Sequence, residues 1–164
     1  MIEAIKNIGF IVTERLERKE LSSDFRNRYS NLPADYLEFL QQFQTITNEN
    51  ENVWFNSIED FNGDSDSEFR WNEFEMMGLE ALKDDEDSCD MIRQFWDNHI
   101  PILISVKGEY QYLCIDLSPE NYDKIYYGVE PEFEESAEFV CDSFNHLLKM
   151  LSSTEKGDIL INFK

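Results

Sequence analysis

This chain of 164 residues is short of cations, cysteine, histidine and glycine, and each shortage removes a class of function. Fourteen Lys and Arg face thirty-five Asp and Glu, a formal net charge of −21. No basic stripe exists to replace the counterions of a phosphate backbone, so nucleic acid is not an expected ligand. Cys89, Cys114 and Cys141 are an odd number without C-x-x-C spacing, which argues against a disulfide framework and a zinc site. Only His99 and His146 are available, no H-E-x-x-H pattern occurs, and no metal or other cofactor is expected. The six glycines are too scattered for a phosphate-binding loop. No apolar run approaches the ~20 residues of a membrane span. Met1–Lys6 includes an early acid and lacks a signal-peptide core, so no membrane association is expected and the cytoplasm is the expected compartment.

What is present is apolar and aromatic material in quantity, 41% hydrophobic with thirteen Phe, seven Tyr and three Trp. That suffices for one domain with an aromatic-rich core, despite the charge. The charge is also concentrated. Residues 59–90 hold thirteen acids against Arg70 and Lys83, and residues 116–142 hold nine against Lys124. Such self-repulsion costs stability. It serves either as a solubilising surface or as a negative patch for a basic partner.

A well-defined helix start opens the pattern of elements. In Asn31-Leu32-Pro33-Ala34-Asp35-Tyr36-Leu37-Glu38-Phe39-Leu40, Pro33 suits the first turn, Asn31 reads as the cap, and Asp35 sits at the positive end of the dipole. Tyr36, Leu37, Phe39, Leu40 and Phe43 supply an apolar face. A short helix then a strand is expected in the first twenty residues, with a second short helix over 21–29. Residues 45–52 read as a polar loop, Val53–Phe55 as a strand that Ile58–Phe61 extends along an edge, and 71–82 as a mixed segment. A helix follows from Asp84 through Trp96, then strands at 100–106, 110–117 and 124–129 with one strongly apolar face. A helix over 136–152 and an edge strand or frayed tail at 159–163 complete an α+β reading.

Catalytic signatures are missing. The acidic loop 62–68 fails as a calcium loop, because a frame from Asp60 places Ser65 where Gly is required and Trp71 where Glu is required. Cys114 or Cys141 with His146 lacks any supporting local pattern, and His99 reads as a capping or packing residue. Paired carboxylates such as Asp84-Asp85 and Glu134-Glu135 fall in solvated segments, whereas acid–base work needs a carboxyl raised in an apolar pocket. No enzymatic activity is expected. Trp54, Trp71, Trp96 and Tyr126-Tyr127 lie beside acidic stretches, as core residues or as aromatic anchors rimmed by acids.

Three motifs occur in order: the L-P-x-x-Y-x-x-F-L helix at Leu32–Leu40, the Ile100-Pro101-Ile102 strand leading into Tyr112-Leu113-Cys114-Ile115-Asp116-Leu117, and the Ser143-Phe144-x-x-Leu147-Leu148 helix. In this the chain resembles the SMI1/KNR4 proteins of the SUKH superfamily, most strongly over residues 20–152. It departs from them at Gln42–Thr45, where Asn-Gly-Gly is usual, and at the reduced turn Lys107-Gly108-Glu109. The resemblance implies a curved, mostly antiparallel sheet with packed helices. It also implies an immunity protein that neutralises a polymorphic toxin, commonly a nuclease, without catalysis. A basic toxin domain is then the expected partner. Joined to the charge distribution, it nominates Asp84, Asp85, Glu86, Asp87, Glu130, Glu132, Glu134 and Glu135 as contacts, with Trp71 and Tyr127 as anchors. A regulatory adaptor and, further off, a small-ligand binder are the alternatives. Oligomeric state is not legible in the sequence.

Overall fold

Alternating and β-branched stretches assemble in the computed structural model into a curved antiparallel sheet of seven strands; the structure describes residues 5–6, 9–152 and 159–163. The strands are β1 (Phe10–Glu14), β2 (Phe43–Asn48), β3 (Val53–Phe55), β4 (His99–Ser105), β5 (Gln111–Asp116), β6 (Ile125–Val129) and β7 (Glu138–Cys141). Their spatial order is their chain order, so each pairs with its sequence neighbour. Six helices accompany them among the described residues: α1 (Ser23–Arg28), α2 (Ala34–Gln42), α3 (Ile58–Asn62), α4 (Glu73–Ala81), α5 (Glu86–Asn98) and α6 (Phe144–Ser152). Ile159–Phe163 is a 3₁₀ turn.

The sheet is covered on both faces. Phe10, Ile46, Phe55, Leu103 and Leu113 belong to one core together with Phe25, Phe39, Phe61, Phe144 and Leu147 from α1, α2, α3 and α6. Ile104, Tyr112 and Cys114 point the other way, into a second core with Phe74 of α4, Ile92 and Trp96 of α5, and Phe133. The expected single apolar face is therefore corrected. Every residue of β5 is buried, because helices close over both sides of the central strands. Tyr112 packs directly over Gly128 of β6, where a Cβ would stand 2.3 Å from the ring, so only glycine fits there.

Several boundaries move for identifiable reasons. Residues 43–48 form β2, not a loop, since Thr45 and Thr47 flank buried Ile46 with strand periodicity. Only the turn after it is polar, where Asn48 Oδ1 accepts from the Asn52 and Val53 amides. Ile58–Phe61 is helical, because Ser57 and Asp60 make a reciprocal capping box and Gly63, at φ 72°, ends the helix in the left-handed region. The mixed segment resolves into α4. In the segment expected as helix 136–152, residues 138–141 are β7, which places Cys141 on a strand. The helix starts after Ser143, whose Oγ accepts from the His146 amide. The tail is a 3₁₀ turn, with Ser105 Oγ donating to the Asn162 carbonyl. Pro33, not Asn31, is the N-cap of α2, and Asp35 Oδ1 accepts from the Tyr36 amide. Strand β1 stands where an N-terminal strand is expected, whereas most of the preceding helix expectation lies outside the described residues.

Candidate functional site

The two acidic segments meet the same structural unit, the antiparallel pair α4–α5. Asp84 to Asp87 form its tip. Asp85 is the N-cap of α5, accepting from the Ser88 amide at 3.2 Å and the Ser88 hydroxyl at 2.9 Å, and these bonds lower its pKa. Asp84, Glu86 and Asp87 are exposed and make no ion pair among the described residues, and neighbouring Lys83 is held by Glu80. Three unpaired carboxylates thus crowd a helix N-terminus, where the dipole favours them locally.

The 130–135 segment lies across the same helices. Tyr112 Oη donates to the Phe133 carbonyl at 2.5 Å and Phe133 is buried in the second core, which pins the loop. Glu130 Oε1 accepts from the Tyr110 amide, so it is a loop-holding residue. Trp96 Nε1 donates to Glu134 Oε1 at 2.6 Å. Burial beside α4 raises the Glu134 pKa, against the lowering effect of the Trp96 bond. Glu134 therefore departs from the solvated character expected of this cluster. Glu132 and Glu135 are exposed and make no ion pair among the described residues.

The nominated aromatics differ in kind. Trp71 is half-buried, with its ring 5.4 Å from Phe25, 6.0 Å from Tyr29 and 5.7 Å from Phe61. Its ring is committed to the first core, on the side of the sheet away from Glu134. Tyr127 is half-buried on β6 and meets Phe163 edge-on. A series that sequence reasoning missed runs from α5 to the β7 edge: Phe95 stacks on His99, His99 meets Tyr126, and Tyr126 meets Phe139. The i, i+4 spacing of Phe95 and His99 was its only local signal, and the sheet register Tyr126–Phe139 supplies the rest.

A groove of about 650 Å³ opens between β2–β3 and the 62–68 loop, beside Trp54 and the carboxylates Glu51, Glu59, Asp60, Asp64 and Asp66. Much of this charge is already answered. Arg15 grips Glu59 with two bonds of 2.7 and 2.8 Å, Lys19 reaches Asp64 at 2.8 Å, and Asp60 accepts from the Ser57 amide and hydroxyl. Nucleophilic chemistry finds no support in Cys114 or Cys141. Burial pushes the Cys114 thiol well up and the Cys141 thiol up to about 11, opposite to what a thiolate requires. Among the described residues no three His, Cys, Asp or Glu are grouped to hold a metal ion, and no helix is long and apolar enough to cross a membrane.

The family model of SMI1/KNR4 proteins (SUKH-1) matches residues 19–150. The chain belongs to that family. No curated protein and no solved structure matches it. The match runs from just before α1 into α6 and takes in both acidic segments and the whole α4–α5 pair. The SMI1/KNR4 family includes immunity proteins, which bind protein toxins.

Proposed function

We propose that this SMI1/KNR4 protein is an immunity protein that binds a basic, nuclease-type toxin domain in the cytoplasm and occludes it without catalysis. The observation that supports this reading best is the run of exposed carboxylates at the α4–α5 tip, Asp84, Glu86 and Asp87, which make no ion pair among the described residues, with Glu132 and Glu135 on the loop that crosses the same helices. A nuclease presents cations to hold its substrate. Dense unpaired negative charge on an inhibitor steers the encounter and competes for those cations. Of the other nominated residues, Asp85, Glu130 and Glu134 act through the positions they hold, and Trp71 and Tyr127 through the packing around them.

The test is a pull-down from the native lysate with the tagged protein, eluted in salt steps and identified by mass spectrometry. The captured basic protein is then assayed for nuclease activity with and without the chain. Inhibition saturating at one equivalent, relieved as salt rises, is the expected result. Capture of a partner whose activity the chain leaves unchanged would overturn the proposal in favour of a regulatory adaptor.

A further inference from the structure

The sheet carries a notch that its own strands do not fill. The pairing of β1 with β2 steps from Thr45 to Phe43, and that of β2 with β3 begins at Ile46, so Gln44 lies opposite no residue of either neighbour. It is the extra residue of a bulge, where the ladder is locally broken. Beyond Phe55 the chain leaves β2 and stays with β4. The Asn56 amide donates to the Ile102 carbonyl, its Nδ2 donates to the Pro101 carbonyl, and Ser57 caps α3. Strand β2 therefore runs on past the end of β3, and on that side residues 43–45 have no strand partner among the described residues. Gln44 and Thr45 are both exposed.

The groove of about 650 Å³ opens on this notch, with Gln44, Thr45 and Ile46 in its lining. A second hollow of about 400 Å³ shares Gln44 and Glu59 with it and is bordered by Leu16, which is 96% exposed. Two adjoining hollows along an unpaired stretch of strand make a trough, a shape that suits an extended chain better than a compact ligand. Trp54 is a wall fixed in advance, its ring edge-on to Phe69 at 5.6 Å and its Nε1 donating to Asn56 Oδ1 at 3.3 Å, which reduces the ordering cost of binding. The charge beside Trp54 is one-sided. Five carboxylates and no cation line the groove among the described residues. Arg15 and Lys19 answer Glu59 and Asp64, whereas Glu51 and Asp66 make no ion pair among the described residues.

We propose that the trough takes an extended, cationic segment of a partner protein, which adds main-chain hydrogen bonds at Gln44 and Thr45 and turns its basic side chains toward Glu51 and Asp66. At an open strand the backbone bonds supply affinity and the side chains supply selectivity. Here the surrounding carboxylates favour lysine or arginine. A second copy of the chain is disfavoured as occupant, because each copy carries −21 and would bring acids against acids. The trough is separate from the α4–α5 tip, and neither site depends on the other.

The test is an NMR titration of the full chain with a capped Lys-Val-Lys-Val-Lys peptide, its backbone N-methylated counterpart and spermine, all at the same low salt. The expected shifts gather at the Gln44 and Thr45 amides and the Trp54 indole. N-methylation keeps the charges but removes main-chain donors, and should weaken binding about five-fold or more, as the loss of one or two hydrogen bonds implies. Glu51→Gln with Asp66→Asn should weaken the parent peptide about three-fold, a difference that added salt erases, while Asp84→Asn with Asp87→Asn leaves its affinity unchanged. Equal affinity for the N-methylated peptide or for spermine would overturn the proposal, since charge alone would then account for binding. Shifts centred on Asp84–Asp87 would also overturn it, as would shifts at the notch that grow with protein concentration without peptide, which would assign it to self-association. The nuclease assay is independent of this titration, so failure of the trough and failure of the immunity reading are separable.

Discussion

The Arg15–Glu59 pair offers the sharpest test of how the sheet edge is held. Arg15 follows β1 immediately, and its side chain is only 5% exposed. Beyond the two bonds to Glu59 on α3, it donates to the Leu40 and Phe43 carbonyls at the end of α2 and the start of β2. One guanidinium thus ties four elements. The hydrogen bonds from Arg15 hold the Glu59 carboxyl at about 2, below its usual 4.5. A difference of that size corresponds to roughly 3 kcal/mol if fully expressed, and solvent access to Glu59 trims it to about 1–2 kcal/mol. Glu59→Gln removes the charge but keeps the shape, and it leaves a buried guanidinium without its counter-charge. The expected cost at pH 7 is about 2 kcal/mol, a fall of roughly 4–8 °C in midpoint for a chain of this length.

The pH dependence carries the sign. A depressed carboxyl contributes stability that is fully present above its unfolded value of 4.5 and lost as pH falls through the folded value of about 2. Acidification also relieves the repulsion among the other carboxylates in both proteins, so the difference between them isolates the pair. Urea unfolding of wild type and Glu59→Gln from pH 7 to pH 2 should give a gap that is constant above pH ~5 and narrows below it. A gap under about 0.5 kcal/mol at pH 7, or one that persists unchanged to pH 2, would refute the reasoning.

Three other perturbations test other parts of the structure. Gly128→Ala sets a methyl 2.3 Å from the Tyr112 ring, which the bond to the Phe133 carbonyl holds in place; calorimetry should show a loss of about 2–3 kcal/mol, and a loss below ~0.5 would refute the close approach. Burial raises the Glu134 pKa, so its charge is a cost that is absent below the usual carboxylate range and grows as pH rises through the folded value. Glu134→Gln keeps an acceptor for Trp96 and should raise the thermal midpoint at pH 7 but not at pH 3; a fall at pH 7 refutes it. Neutralising Asp84, Glu86 and Asp87 to their amides, with the cap Asp85 left intact, should slow association with a basic partner about ten-fold at low salt, while moving stability by less than ~1 kcal/mol. An unchanged on-rate by stopped flow would place the steering charge elsewhere.

Helices with strong end signals were legible without coordinates. The acids before α5 and the apolar rows of α2 and α6 mark those helices because capping and helical periodicity are local properties. Strands β3 to β6 were readable from their β-branched and aromatic runs. Strand β7 was not, since Glu138–Cys141 has one fully buried residue and borders a helix whose periodicity extends into it. The capping box at Ser57 and Asp60 was a local signal left unread.

The candidate surface divides along the same line. Composition and order alone determined that the chain is acidic, aromatic-rich, α+β and of the SMI1/KNR4 pattern, since charge, apolar fraction and motif spacing are properties of the linear chain. They also determined which segments are acidic. Only the tertiary structure decided which of those acids face solvent unpaired. Asp85, Glu130 and Glu134 are spent on Ser88, Tyr110 and Trp96, and the last two partners lie twenty and thirty-eight residues away. It likewise drew Trp71 into a core and set Phe95, His99, Tyr126 and Phe139 in one line. Ring contacts and desolvation depend on distances through space, and residues far apart in the chain acquire those distances only when the sheet brings their strands into register.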